Sequence, residues 1–228
     1  MLKTVFFDLD DTILDFSRAE AAALERALAE ADVPADGGVL ARYHAINAAQ
    51  WELLEEGVLT REQVMVGRFE ILFGELGLER PAREICRRYE GYLAEGHWFI
   101  PGAEELLMEL SPRYDLYLAS NGTAEVQHRR LESAGIARYF QGIFISGELG
   151  ADKPSPVFFD RCFEAIPGFS REAALMVGDS LTSDIRGGRA AGLRTCWFNP
   201  NGKAARGDIT PDYEVAALEQ LPALLETL

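Results

Sequence analysis

Positive charge is scarce in this chain. Its 228 residues include 22 lysines and arginines against 37 aspartates and glutamates, a formal charge of −15. That field opposes general binding to nucleic acid or to anionic membranes, both of which draw on basic surfaces. An anionic small substrate stays open only where local positive charge or a metal supports it. Lysine is the rarer cation, present only as Lys3, Lys153 and Lys203. Cysteine is sparse too. Cys86, Cys162 and Cys196 are odd in number and widely spaced, with no Cys-x-x-Cys or Cys/His cluster. Zinc sites and disulfide frameworks are thereby disfavoured, and reduced thiols are the default. No apolar run approaches the roughly 18 residues that cross a bilayer. The apolar run near the amino terminus is broken at Asp8, too early for a secretory signal. A soluble cytoplasmic protein is expected.

What is present begins with Asp8-Leu9-Asp10-Asp11, directly after the apolar run Val5-Phe6-Phe7. Carboxylates crowded at the end of a buried strand are costly unless something neutralises them. A hard divalent cation such as Mg2+ would do so, because it takes carboxylate oxygens. Asp8 and Asp10 are two apart, so an extended chain presents both on one face. Taken alone, an Asp-x-Asp pair reads more readily as an acidic surface turn.

The rest of the chain supplies context. Two capping-box patterns, Ser17-Arg18-Ala19-Glu20 and Thr60-Arg61-Glu62-Gln63, are predicted to open helices. Residues 16–96 show no strand pattern, so an all-helical unit is expected there. After Pro101-Gly102 short apolar strands alternate with helices. Strands are predicted at 116–119, 143–145, 174–177 and 195–198. Thr123 to Ala134 reads as a helix stopped by Gly135, and Ser155-Pro156 opens another. The pattern predicts an α/β fold, with a parallel sheet covered on both faces and the helical unit inserted after its first strand.

In such sheets ligand groups collect beyond the carboxyl ends of the strands. Asp8 and Asp10 follow the first strand, Ser120-Asn121-Gly122 the second, Lys153-Pro154 the third, and Gly178-Asp179 with Asp184 the fourth. Each has an ordinary reading as a turn, a surface charge or a helix cap, but four such coincidences in order are hard to sustain. Together they compose a phosphoryl-transfer site. Asp8 is the candidate nucleophile and Asp10 the acid/base. Ser120 and the backbone near Asn121 would bind phosphate, and Lys153 would supply positive charge. Asp8 and Asp179 would hold Mg2+, and Asp184 would orient Lys153 or the metal's surroundings. Thr12 is expected to hydrogen-bond near the nucleophile and Asp11 to be structural. His44, His97 and His128 share no metal-binding spacing.

With these motifs in order, the chain resembles the haloacid dehalogenase superfamily of phosphatases along its whole length. Asp8-Leu9-Asp10-Asp11-Thr12, Ser120-Asn121-Gly122, Lys153-Pro154 and Gly178-Asp179 through Asp184 match its four motifs. The resemblance implies a Rossmann-like core over 1–14 and 97–228, with a helical cap over 15–96 closing on hinges at Asp15-Phe16 and near 98–101. It also implies Mg2+ dependence, an aspartyl-phosphate intermediate, and a metal contact from the Asp10 backbone carbonyl. Tyr43 to Asn47 with Trp51, Gly57 and Arg68-Phe69, and Asn199 beyond Phe198, are similar to bacterial pyrimidine 5′-nucleotidases acting on non-standard nucleotides. Asn47, Trp51 and Arg68 are then candidates for substrate specificity, although Trp51 and Phe69 also suit the interior of the helical unit. The expected substrate is a small phosphate monoester, a nucleoside monophosphate. A sugar-phosphate phosphatase or phosphomutase would share every core motif, and a non-catalytic scaffold is the remaining alternative. A dehalogenase would need neither Asp10 nor Asp179, and the helical region lacks the lysine that phosphonate hydrolysis in this superfamily uses.

Overall fold

The computed structural model of the chain describes residues 1–205 and 207–228. It divides into two compact units, residues 1–16 with 97–228, and residues 17–96.

The first unit is built on a parallel sheet of β1 (Thr4–Phe7), β2 (Asp115–Ser120), β3 (Gly142–Ile145), β4 (Ala174–Gly178), β5 (Arg194–Phe198) and β6 (Tyr213–Val215). Their spatial order is β3-β2-β1-β4-β5-β6, and every neighbouring pair is parallel. β1 is therefore central, which is why all four of its residues are buried. Alternate side chains enter different cores, as the two-residue period requires. Val5 and Phe7 join Leu116, Leu118, Leu175 and Val177 on one face. Phe6 joins Ala119, Phe144, Phe159 and Met176 on the other.

The 17–96 unit is helical, with no strand among its described residues. It comprises nearly all of α1 (Phe16–Ala29), then α2 (Gly37–Glu55), α3 (Arg61–Leu76) and α4 (Ala82–Leu93). The Thr60 box forms as predicted: Thr60 Oγ1 accepts from Gln63 N–H, and Gln63 Oε1 accepts from Thr60 N–H. The Ser17 box does not open a helix. α1 already begins at Phe16, whose N–H donates to Asp11 Oδ1 at 2.9 Å. Asp11 takes the left-handed φ of 55° that this turn needs. Glu20 is buried instead, accepting from Asn47 Nδ2 at 2.7 Å and lying 2.6 Å from His44 Nδ1. The interior packs Tyr43, Phe69 and Tyr89, with ring centroids 5.0–5.7 Å apart.

In the sheet unit α5 (Ala103–Leu110) precedes β2, and α6 (Ala124–Ala134) follows it and ends on Gly135 at φ 69°. α7 (Ser146–Leu149) and α8 (Pro156–Glu164) lie between β3 and β4, and Ser155 Oγ caps α8 by accepting from Val157 N–H. A π-helical stretch, Leu181–Arg186, runs into α9 (Gly187–Ala190), and α10 (Leu221–Leu225) ends the fold. Among the described residues no helix is long and apolar enough to cross a membrane.

Candidate active site

The carboxyl ends of β1, β2 and β4 lie side by side because these strands are neighbours in the sheet. Asp8 continues β1, and its N–H donates to Val177 O at 2.9 Å, so the nucleophile candidate is an extension of the sheet. Ser120 closes β2, and Asp179 follows the last residue of β4.

Lys153 reaches this cluster from the loop before α8. Its ammonium is buried and donates to Asp8 Oδ1 at 2.6 Å, Asp184 Oδ1 at 2.7 Å and Ala119 O at 2.6 Å. An ammonium has three hydrogens, so every one is committed. Burial works against its charge, yet Asp184 and Asp8 together outweigh that and hold its pKa above the ordinary lysine value. Lys153 is therefore a fixed cation, not a proton donor near neutrality.

One ammonium cannot balance the acids around it. The carboxylates of Asp8, Asp179 and Asp184 offer oxygens all within 4.8 Å of one another. Burial pushes the Asp8 carboxyl up to about 8; Lys153 opposes the rise, and Asp184 and Asp10 reinforce it. Burial, then the fields of Asp8 and Asp184, raises Asp179 well above the carboxylate range as well. With all three acids ionised against one base, two negative charges would be left over, the deficit that a divalent cation fills. The donor set is all oxygen, which suits Mg2+.

Each strand-end loop is pinned by its own hydrogen bonds. Thr12 Oγ1 accepts from Asp179 N–H at 3.1 Å, and Trp197 Nε1 donates to Asp179 O at 2.8 Å. Asp184 Oδ2 accepts from Ser180 N–H at 3.1 Å, so Lys153 and the loop backbone hold both of its oxygens. Gly178 makes room for it: a Cβ there would lie 2.1 Å from Asp184 Oδ2. Asn121 spends its side chain on Lys153, donating to its carbonyl and accepting from its N–H, both at 2.8 Å. Any phosphate contact by Asn121 thus falls to its backbone.

Asp10 stands apart from the three-carboxylate set. Its Oδ2 accepts from Gln127 Nε2 at 2.7 Å, and its Oδ1 accepts from Arg130 NH1. Gln127 and Arg130 were not singled out in the sequence, where they read as ordinary residues of α6. The signal available was their place beside Val126 and Leu131, the apolar residues that mark the buried side of α6. Trp197 was likewise read only as a strand residue.

The specificity candidates sit within the helical unit. Asn47 Oδ1 accepts from Arg68 NH1 at 2.9 Å while its amide donates to Glu20, so this pair is bound up in the unit's interior. Arg68 lies over the Tyr89 ring at 4.9 Å. Trp51 is half-buried, with Arg61 5.3 Å from its ring centroid. Phe69 is fully buried among aromatics, an interior residue. His44, His97 and His128 bond Glu20, Ser133 and Glu148 respectively, each in a different place.

A family profile described as haloacid dehalogenase-like hydrolase matches residues 2–192. The HAD-hydrolase YfnB of Bacillus subtilis is 42% identical over 223 residues, covering 98% of this chain and 95% of that protein. A crystal structure of YfnB bound to magnesium aligns with a TM-score of 0.95 at 42% identity, covering 98% of each chain. Pyrimidine 5′-nucleotidase PynA of Streptococcus pneumoniae is 39% identical over 96% of this chain and 93% of its own length. Pyrimidine 5′-nucleotidase YjjG of Escherichia coli is 33% identical over 97% of this chain and 96% of its own.

Proposed function

This chain belongs to the haloacid dehalogenase-like hydrolases, and from that premise we propose that it is a Mg2+-dependent phosphomonoesterase acting on nucleoside 5′-monophosphates, pyrimidine ones foremost. The observation that carries the chemistry is the buried cluster of Asp8, Asp179 and Asp184 around Lys153. The substrate class rests on similarity to PynA and YjjG along nearly the full chain. The magnesium-bound YfnB structure supports the choice of ion.

In this reading Asp8 attacks phosphorus and forms an aspartyl-phosphate, while Asp10 protonates the departing ester oxygen. Asp10 then takes a proton from water, which attacks the phosphorus, releases phosphate and restores Asp8. Ser120 Oγ and the Asn121 backbone bind phosphate oxygens. Lys153 holds Asp8 in one rotamer and places positive charge beside the phosphoryl group. Asp8, Asp179 and the Asp10 backbone carbonyl would hold the magnesium ion, with Asp184 bracing Lys153. When bound, the ion supplies charge neutralisation between two anions that otherwise repel.

We assign substrate selection to the helical unit as a cap. Within it Trp51 ranks before Asn47 and Arg68, because Trp51 is half-buried whereas the other two are buried and hydrogen-bonded to each other. The three buried free thiols fit a reducing cytoplasm. The test is a phosphate-release screen over nucleoside monophosphates and sugar phosphates, with Mg2+ or with EDTA. Asp8→Asn should abolish release and leave the fold intact, and full turnover by that variant refutes the mechanism. Preference for a sugar phosphate, or an isomerised product, refutes the substrate assignment alone.

A further inference from the structure

Gln127 and Arg130 are three residues apart on α6, which brings them to one face of the helix. Both are buried, and both are turned toward the acid/base candidate. Gln127 Nε2 carries two hydrogens. One goes to Asp10 Oδ2 at 2.7 Å and the other to Ser120 Oγ at 2.8 Å. Its Oε1 accepts from Arg130 NH1 at 3.0 Å, and the same NH1 donates to Asp10 Oδ1. Inverting the amide would set a carbonyl oxygen against a carboxylate and an NH2 against a guanidinium. The network therefore fixes which way Gln127 points.

We propose that Gln127 and Arg130 are positioning residues that clamp both oxygens of Asp10, and that Gln127 also directs the Ser120 hydroxyl proton toward phosphate; this rests on the phosphatase reading above. Two donors on two oxygens stop the carboxylate from rotating about its Cβ–Cγ bond. Because Ser120 Oγ is an acceptor toward Gln127, its own hydrogen is left to point elsewhere. Gln127 thus joins the phosphate-binding hydroxyl to the acid/base through one amide. Gly122 is part of the arrangement, since a Cβ there would come within 2.7 Å of the Gln127 side chain. The glycine of the Ser-Asn-Gly motif makes space for the clamp. Burying a whole guanidinium costs several kcal/mol unless it is paired, and here its charge is paired with Asp10. The chemistry served is proton delivery, which matters in proportion to how poor the leaving group is. Misplacing a catalytic group by about 1 Å can cost ~10²-fold in rate.

The test uses two esters of similar shape, phenyl phosphate and p-nitrophenyl phosphate, with Mg2+ and the full chain. Nitrophenolate departs without a proton, whereas phenolate gains from one. Values of kcat/KM report through formation of the phosphoenzyme. Asp10→Asn sets the size of the selective loss on phenyl phosphate. Gln127→Met and Arg130→Met should each lose about tenfold or more on phenyl phosphate beyond any loss on the nitrophenyl ester, with the ~10²–10⁴-fold of positioned acid catalysis as the ceiling. Arg130→Lys should recover part of that selectivity, and it keeps the proposal testable if Arg130→Met does not fold. Equal losses on both esters, or none, overturn the proposal, because a merely structural role cannot sense the leaving group. Failure of the wild type to release phosphate from these esters and from every nucleoside monophosphate and sugar phosphate would instead refute the phosphatase reading itself.

Discussion

Replacing Lys153 with methionine keeps the length of the stem and removes all three donors. The consequences follow from its contacts: Asp8 Oδ1, Asp184 Oδ1 and Ala119 O all lose their partner inside the protein. Removing one member of a buried ion pair costs about 3–5 kcal/mol, since the charge left behind stays desolvated. For a chain of this size each kcal/mol moves Tm by about 2–4 °C. The expected fall is thus about 6–20 °C, measured by thermal unfolding at pH 8 in EDTA. Acid should shrink the fall, because the stranded carboxylates can then protonate. Asp184→Asn supplies the internal control. It should cost at least about 1 kcal/mol less in the Lys153→Met background than in the wild type, since the two residues share one contact. Additive losses, or a Tm change under about 2 °C, would refute the picture of Lys153 as the counter-charge of this cluster.

The metal-free protein should lose stability as pH rises. Asp8 has a folded-state pKa pushed up to about 8, against an ordinary aspartate value near 3.9. Ionisation above pH ~4 therefore favours the unfolded chain, and the loss grows until about pH 8. The Asp179 shift has the same sign. Melts at pH 5, 6.5 and 8 in EDTA should fall, and saturating Mg2+ should flatten the series; a Tm that rises with pH refutes the assignment. Gly178→Ala should destabilise by about 1–3 kcal/mol, the cost of overpacking, because its Cβ would meet Asp184 Oδ2 at 2.1 Å and that side chain is held on both oxygens. Denaturant titration reads this, and a change under about 0.5 kcal/mol counts against the fixed geometry. Trp197→Phe removes the donor to Asp179 O and should weaken Mg2+ binding measured by calorimetry, by up to about tenfold for a ligand-orienting contact; unchanged affinity refutes that role.

Much of the architecture was legible because short-range chemistry wrote it. The apolar runs at Val5, Leu116, Ile143, Ala174 and Thr195 became β1 to β5 within a residue or so. Thr60 with Gln63, Ser155 with Pro156, and Gly135 closed or opened their helices as their side chains dictate. Local pattern failed where a distant partner competed. Glu20 sits three residues beyond Ser17 as a capping box asks, but burial beside Asn47 and His44 claims its carboxylate, and α1 starts a residue earlier. β6 is three residues long, with mixed burial and no apolar run to announce it. Val126 and Leu131 mark the buried side of α6, but nothing local shows that Gln127 and Arg130 beside them meet a carboxylate from β1.

The sequence by itself determined the order of the strands' chemistry: which carboxylates, which lysine and which hydroxyl stand at successive strand ends. Neighbouring positions along the chain are enough for that, since alternation and turn residues act over a few bonds. Tertiary structure alone decided who touches whom. Lys153 meets Asp8 across 145 residues of chain and Arg130 meets Asp10 across 120. Only the parallel sheet, by setting β2 and β4 on either side of β1, brings those side chains within hydrogen-bonding reach. The acidic tetrad at Asp8 accordingly resolves into distinct parts: Asp8 against Lys153, Asp10 in the grip of α6, and Asp11 closing the turn into α1.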